Sequence, residues 1–267
     1  MGNGWIVGQP VSDGAGGMYL TVYDSGTVRL YRLAADGNPD PAFPAGGVVL
    51  NTAASSRGVN WNLVSDGADG VWIVFGANNT GATEVYSQYV DRDGLLYFGP
   101  QGQQLTTTGQ ADSGVIVRAV SDGNHGFYCV WTANNRRELR AQRFDRAGDA
   151  QGTDPSGQLV ATMIEVKDFA IALGSYLYVG YINHWLASAD LIYVQRLDAT
   201  ASLPNLTPVN GYPVCTYGSF NRRMLDLTTE SLGGDVVLAW EDLRPGIDGN
   251  SYQPYVQRVT GAGTAQW

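Results

Sequence analysis

Short apolar runs separated by small polar turns repeat along the whole chain. The runs are "MYLTVY" at 18–23, "VWIVF" at 71–75, "FYCVW" at 127–131, "YLYVGY" at 176–181 and "VVLAW" at 236–240. Each is too short for a helix and rich in the β-branched and aromatic residues that suit a pleated surface. A run ending in an Asp-Gly turn precedes several of them, as in "GVIVRAVSDG" at 114–123. After each of the last four comes a run that carries a glutamine. A fourth run, such as "GQQLTT" at 102–107 or "GQLVAT" at 157–162, follows another turn. The pattern predicts antiparallel strands in groups of four.

The groups are copies of one another. "VSDGAGGMYL" at 11–20 returns as "VSDGADGVWIVF" at 64–75 and "VSDGNHGFYCVW" at 120–131. Gln88, Gln142, Gln195 and Gln257 hold matching places, with Tyr31 in the same place of the first copy. A period of about 50 residues points to an array or propeller, because a twisted sheet with two apolar faces must be shielded by a neighbour on each side. The predicted fold is all-β, a five-bladed β-propeller of four-stranded antiparallel blades in one domain over 1–267. Its blades fall near 4–50, 51–108, 109–162, 163–217 and 218–267. Two closures are open: the N-terminal strand serves the first blade, the fifth being short or the chain a piece of a longer array, or Trp267 and Gly4 stand in the spacing of Phe98 and Gly102 and that strand completes the last blade.

The repeated polar residues have a structural reading and a functional one. Asp13, Asp66 and Asp122 could capture calcium, but one carboxylate per turn falls far short of the roughly six to eight oxygens that ion takes. They read as turn residues, beside Gly16, Gly17, Gly70, Gly126, Gly233 and Gly234. The glutamines read as partners for free backbone groups rather than a ligand ring. Arg143, Arg196 and Arg258 read as partners of loop carboxylates such as Asp145 or Asp198.

Composition narrows the function. The formal charge is −9, with Lys167 as the sole lysine, which argues against a phosphate-binding surface and against nucleic acid as a partner. No apolar run reaches the roughly 18 residues a membrane helix needs. The start, "MGNGWIVGQP", lacks the regions of a signal peptide. Two cysteines, Cys129 and Cys215, make no disulfide framework and read as free, buried thiols.

"GGDVVLAWEDLRPGIDGNSYQPYVQRVTGAGTAQW" at 233–267 resembles tandem repeats of secreted bacterial proteins that read Asp-Gly-x-Gly-Gly, Trp-x-Asp-x-Arg, Gln-Arg-Val-Asp and Gly-x-x-x-Trp. "RLYRLAADGNPDPAFPAGGVVL" at 29–50 is similar to the Delta-60 class of propeller repeats. The fourth group, from Val166 through Asp198, lacks the Asp-Gly-x-Gly-Gly turn. The resemblance implies an extracellular propeller and carries no catalytic residues to transfer.

For catalysis the first strands of the last two groups offer Glu165, Asp168 and Asp226, none in a distinctive motif. Solvated or paired acids are the plainer account. His125 and His184 are the two histidines, too few for a zinc site without help from distant groups. The hairpin "INHWLASAD" at 182–190 places His184 and Trp185 where the other groups have polar loops, and an exposed indole there could stack on a sugar face. The reading is therefore a non-catalytic extracellular binding or scaffold module, a monomer or part of a longer multidomain chain. It is expected to take no cofactor and no metal, to have a glycan or a surface protein as its partner, and to bind through His184 and Trp185. The alternative is a propeller glycoside hydrolase or lyase with acids in a central funnel.

Overall fold

The computed structural model describes residues 5–51, 61–68, 70–78, 83–107, 110–111, 114–185, 189–200, 203–205, 207–216, 221–230, 234–243 and 251–266. Gly4, Trp267 and Gly233 lie outside these, and with them the second closure. Among the described residues there is no helix, and 21 strands form five antiparallel sheets.

The first sheet holds β1 (Trp5–Ile6), β2 (Val11–Ser12), β3 (Met18–Asp24), β4 (Thr27–Leu33) and β5 (Val48–Asn51). The second holds β6 (Asn62–Ser65), β7 (Gly70–Ala77), β8 (Glu84–Asp91) and β9 (Gln103–Gln104). The third holds β10 (Val117–Ser121), β11 (Phe127–Ala133), β12 (Glu138–Phe144), β13 (Ala150–Gln151) and β14 (Gln158–Thr162). The fourth runs in simple order through β15 (Val166–Leu173), β16 (Tyr176–Trp185), β17 (Ala189–Asp198) and β18 (Tyr212–Cys215). The fifth holds β19 (Arg222–Thr229), β20 (Val236–Asp242) and β21 (Gln253–Val259).

By contacts the chain divides into two compact units, residues 1–131 with 142–156 and residues 132–141 with 157–267. The first unit's core gathers Tyr19, Leu30, Leu50, Trp61, Ile73 and Phe75, with the Trp61 and Phe75 rings stacked 4.4 Å apart. The second gathers Tyr178, Ile182, Ile192, Leu227, Leu238 and Trp240. Along β7 and β11 every residue is buried, whereas β3, β4 and β20 alternate, which is why the second strands of the second and third sheets read as unbroken apolar runs. Cys129 and Cys215 are free and buried, and burial pushes the Cys129 thiol up.

The repeated turn is a fixed piece of hydrogen bonding. One oxygen of Asp13 accepts the amides of Ala15 and Gly17, both at 2.8 Å, and Asp66 and Asp122 hold the matching amides of their own turns. The second oxygen receives an arginine from the third strand of the same sheet: Arg32 on Asp13 and Arg143 on Asp122, each at 2.9 Å. Arg258 does the same for Glu230 and Asp235 in the fifth sheet. The arginines thus pair with turn acids of the second strand and not with Asp145 or Asp198. Arg196 instead donates to the Gly261 carbonyl and lies over the Tyr176 ring. One oxygen of Asp145 accepts amides of its own turn and the other accepts the side-chain amide of Gln151. The glutamines bond backbone: Gln88 donates to the Gly99 carbonyl, Gln142 to that of Gln151, and Gln195 to that of Val160.

The last glycine of the turn is fixed by space. A Cβ on Gly126 would stand 2.2 Å from the Phe144 carbonyl oxygen, and one on Gly17 would stand 2.1 Å from that of Leu33. Neither obstacle is a flexible side chain. Gly126→Ala is expected to cost about 3 kcal/mol through forced backbone displacement, read as a lower urea midpoint with unchanged slope. Gly37→Ala, in a turn where a Cβ meets nothing within 4 Å, is expected to cost about 1 kcal/mol from its positive φ alone.

Candidate functional site

Within the second unit, the fourth and fifth sheets bring charged groups together around Asp190. The pairing of β16 with β17 sets His184 directly opposite Asp190. A bulge between Val166 and Asp168 leaves Lys167 out of register on β15, on the same end of the sheet. The Asp190 side chain is fully buried. His184 Nδ1 meets Asp190 Oδ1 at 2.7 Å, and Lys167 Nζ donates to Oδ2 in a short ion pair. The backbone amide of Arg222 donates to the same Oδ2 at 2.7 Å, so the first strand of the fifth sheet also ends on this carboxylate.

Burial alone would raise the Asp190 pKa. The Lys167, Arg222 amide and His184 hydrogen bonds, with the Lys167 charge, outweigh it and hold the carboxyl below its ordinary value. Asp190 is therefore an anion at neutral pH, and its partners stay partly accessible, His184 at 31% and Lys167 at 36% of side-chain surface. A buried carboxylate on one imidazole nitrogen fixes the ring, directs its other nitrogen away from the acid and stabilises the protonated ring. That is the arrangement of a general base with its orienting acid. Behind it, Arg222 and Asp242 form an ion pair at 3.0 Å with both side chains fully buried.

The sequence suggests a hairpin loop for His184 and Trp185, but β16 runs through both, so they close a strand. Residues 186–188 and the Trp185 side chain lie outside what the structure describes. Sequence reasoning misses Lys167, Asp190 and Arg222 as site residues. The signal present was the sole lysine together with a histidine and an aspartate six residues apart across a hairpin.

The expected acids do other work. Asp168 and Asp226 sit at the bulges of β15 and β19, where each accepts the amide of the next residue, at 2.9 Å and 2.8 Å. Glu165 is 47% exposed and lies 3.9 Å from Arg136. Among the described residues, no group of three or more His, Cys, Asp or Glu is placed to hold a metal ion, and no helix is long and apolar enough to cross a membrane.

No protein-family model matches the chain, and no curated protein matches it. Solved structures do. A polysaccharide lyase of family PL25, an ulvan lyase bound to -[GlcA(1-4)Rha3S]-, superposes with a TM-score of 0.63 at 11% identity, covering 97% of this chain and 72% of its own. An endo-1,5-alpha-L-arabinanase from Thermotoga petrophila gives 0.51 at 12% identity, over 99% of this chain and 74% of its own. The SapL1 lectin in complex with alpha methyl fucoside gives 0.55 at 12% identity, over 98% and 79%. At these identities the likeness establishes the fold, an all-β propeller of antiparallel sheets. It also corrects an expectation: the solved structures that share this fold along nearly the whole chain include polysaccharide-cleaving enzymes, so the reading as a non-catalytic binding or scaffold module is not kept.

Proposed function

We propose that the chain is an extracellular five-bladed propeller that cleaves an acidic polysaccharide by β-elimination, with His184 as base, Asp190 as its orienting acid and Lys167 as the neutralising cation. One observation carries this: a single buried carboxylate holds an imidazole on one oxygen and an ammonium on the other. Elimination next to a uronate needs those two things, a base for the proton on the carbon that bears the carboxylate and a positive charge to stabilise the resulting carbanion. Hydrolysis needs two carboxyl groups facing the bond. Asp168 and Asp226, by contrast, spend an oxygen on their own strands.

In this reaction the free nitrogen of His184 takes the proton from C5 of the uronate. The electron pair of that C–H bond becomes the C4–C5 double bond, and the C4–O bond breaks with its pair going to oxygen. The departing oxygen takes the proton back from the imidazolium, so the base is regenerated and no proton is gained or lost. Lys167 keeps its charge throughout. The lyase named above supports the reading, since its ligand contains a glucuronate.

The test is a panel of uronate-containing polysaccharides. The new double bond conjugates with the carboxylate and absorbs in the ultraviolet, so cleavage is read without a label. A rise in absorbance with falling viscosity is expected on at least one polymer. Release of reducing ends without absorbance would replace elimination by hydrolysis.

A further inference from the structure

The first unit contains a separate cleft of about 780 Å³ that the proposed reaction does not use. Its floor is aromatic. The Trp72 ring lies 5.0 Å from Tyr89 and 5.7 Å from Phe98, and Tyr89 meets Tyr97 edge-on at 5.1 Å. Trp72 is fully buried, while Tyr97 leaves 57% of its surface exposed. The turns at 122–126 and 145–149 supply the other wall: the indole N–H donates to the His125 carbonyl at 2.9 Å, and a Cβ on Gly148 would meet Phe98 at 2.9 Å.

This cleft stands where the second sheet departs from the repeated unit. In the first and third sheets the turn acid holds an arginine that lies 5.7 Å over a tyrosine of the second strand, Arg32 over Tyr19 and Arg143 over Tyr128. In the second sheet the arginine's place is taken by Tyr89, whose hydroxyl donates to Asp66 at 2.7 Å, and the tyrosine's place by Trp72. The exchange removes an internal cation and widens the aromatic surface. Scaffold needs alone do not account for it, since the first and third sheets close the same turn with arginine.

The polar groups at the cleft differ in what they have left to offer. Asp66 is occupied by two turn amides and Tyr89, and Asp91 by the amides of Asp93 and Leu95. Arg92, Asp93 and Arg146 are exposed, and among the described residues no ion pair joins them, although the first two are neighbours in sequence. Exposed charges of both signs beside an aromatic ring suit a ligand that donates and accepts at once and has a C–H face to stack, which describes a sugar ring. A polyanion would meet Asp66, Asp91 and Asp93 together with the two arginines and gain little.

We infer that this cleft binds a neutral sugar unit of a glycan chain, stacked on Tyr97 and hydrogen-bonded by Arg92, Asp93 and Arg146, as a site apart from His184. The inference does not rest on the proposed elimination. The test uses the full chain carrying His184→Ala, so that no probe is consumed, on an array of neutral and acidic oligosaccharides followed by titration of the best neutral one. Tyr97→Ala and Arg146→Ala, both exposed, are expected to weaken that binding about tenfold each, in line with the loss of one stacking or charge-assisted contact. Binding is expected to change less than about threefold between about 50 and 500 mM salt, where a polyanion would lose far more. Retention of full affinity in both variants, binding confined to polyanions with a steep salt loss, or no glycan bound would each overturn it. Binding here with no cleavage by the unmodified chain would sink the elimination and leave the cleft standing.

Discussion

His184→Ala is expected to lower kcat on the cleaved polysaccharide by about 10³-fold, within the range that a positioned base contributes. The side chain is partly exposed and its loss uncovers only one oxygen of Asp190, the other keeping Lys167 and the Arg222 amide. The fold is therefore expected to survive, with a thermal midpoint close to that of the parent. Asp190→Asn should reduce kcat by about 10² or more while KM moves little, since an amide can hold the ring but cannot stabilise the imidazolium. Lys167→Met separates charge from geometry: it removes the cation that faces the developing carbanion and should lower kcat/KM on uronate polymers. Steady-state kinetics by ultraviolet absorbance decide these points. A His184→Ala chain with more than about a tenth of parental kcat would remove His184 from the chemistry, since a base of this kind contributes at least about 10²-fold.

Much of the fold was legible because the repeat writes the same physics several times. The second strands of the second and third groups announced themselves as unbroken apolar runs because β7 and β11 are buried on both faces. The turn acids and glycines were legible as structure because Asp13 and Gly17 serve backbone amides and a close carbonyl. What periodicity could not give was the partner of each repeated arginine. Arg143 has acids both at the start of its second strand and in the following turn, and strand pairing, which sequence does not state, brings Asp122 into reach. The candidate site was hidden for a similar reason. His184 was visible as the odd residue of the fourth group, but Lys167 reaches the shared carboxylate through a bulge, and Arg222 through the meeting of two sheets. Asp168 and Asp226 drew attention as candidate funnel acids, with solvated or paired acids the plainer account, and each accepts the amide of the next residue at a bulge of its own strand.

The largest effect on stability is expected at the ion pair behind the site. Arg222 and Asp242 have no solvent exposure in either side chain, and Arg222 Nε donates to Asp242 Oδ2 at 3.0 Å. Two charges moved out of water depend on one another, so removing either strands the other in a low-dielectric interior. Arg222→Leu is expected to destabilise the chain by about 3–5 kcal/mol, because the buried Asp242 carboxylate loses the Arg222 cation. The parent has its own pH dependence at the neighbouring site. Asp190 has a depressed pKa in the folded chain, so its stabilising contribution is complete above the ordinary carboxylate value and is lost as pH falls through the lower folded one. Replacing both partners, Arg222→Leu with Asp242→Leu, should recover much of the loss, since the site then holds apolar groups and no uncompensated charge. Urea unfolding of the parent, the two single variants and the double variant measures the coupling directly. A single variant within about 1 kcal/mol of the parent would mean that water reaches Asp242 and that the pair is not the closed contact its geometry describes.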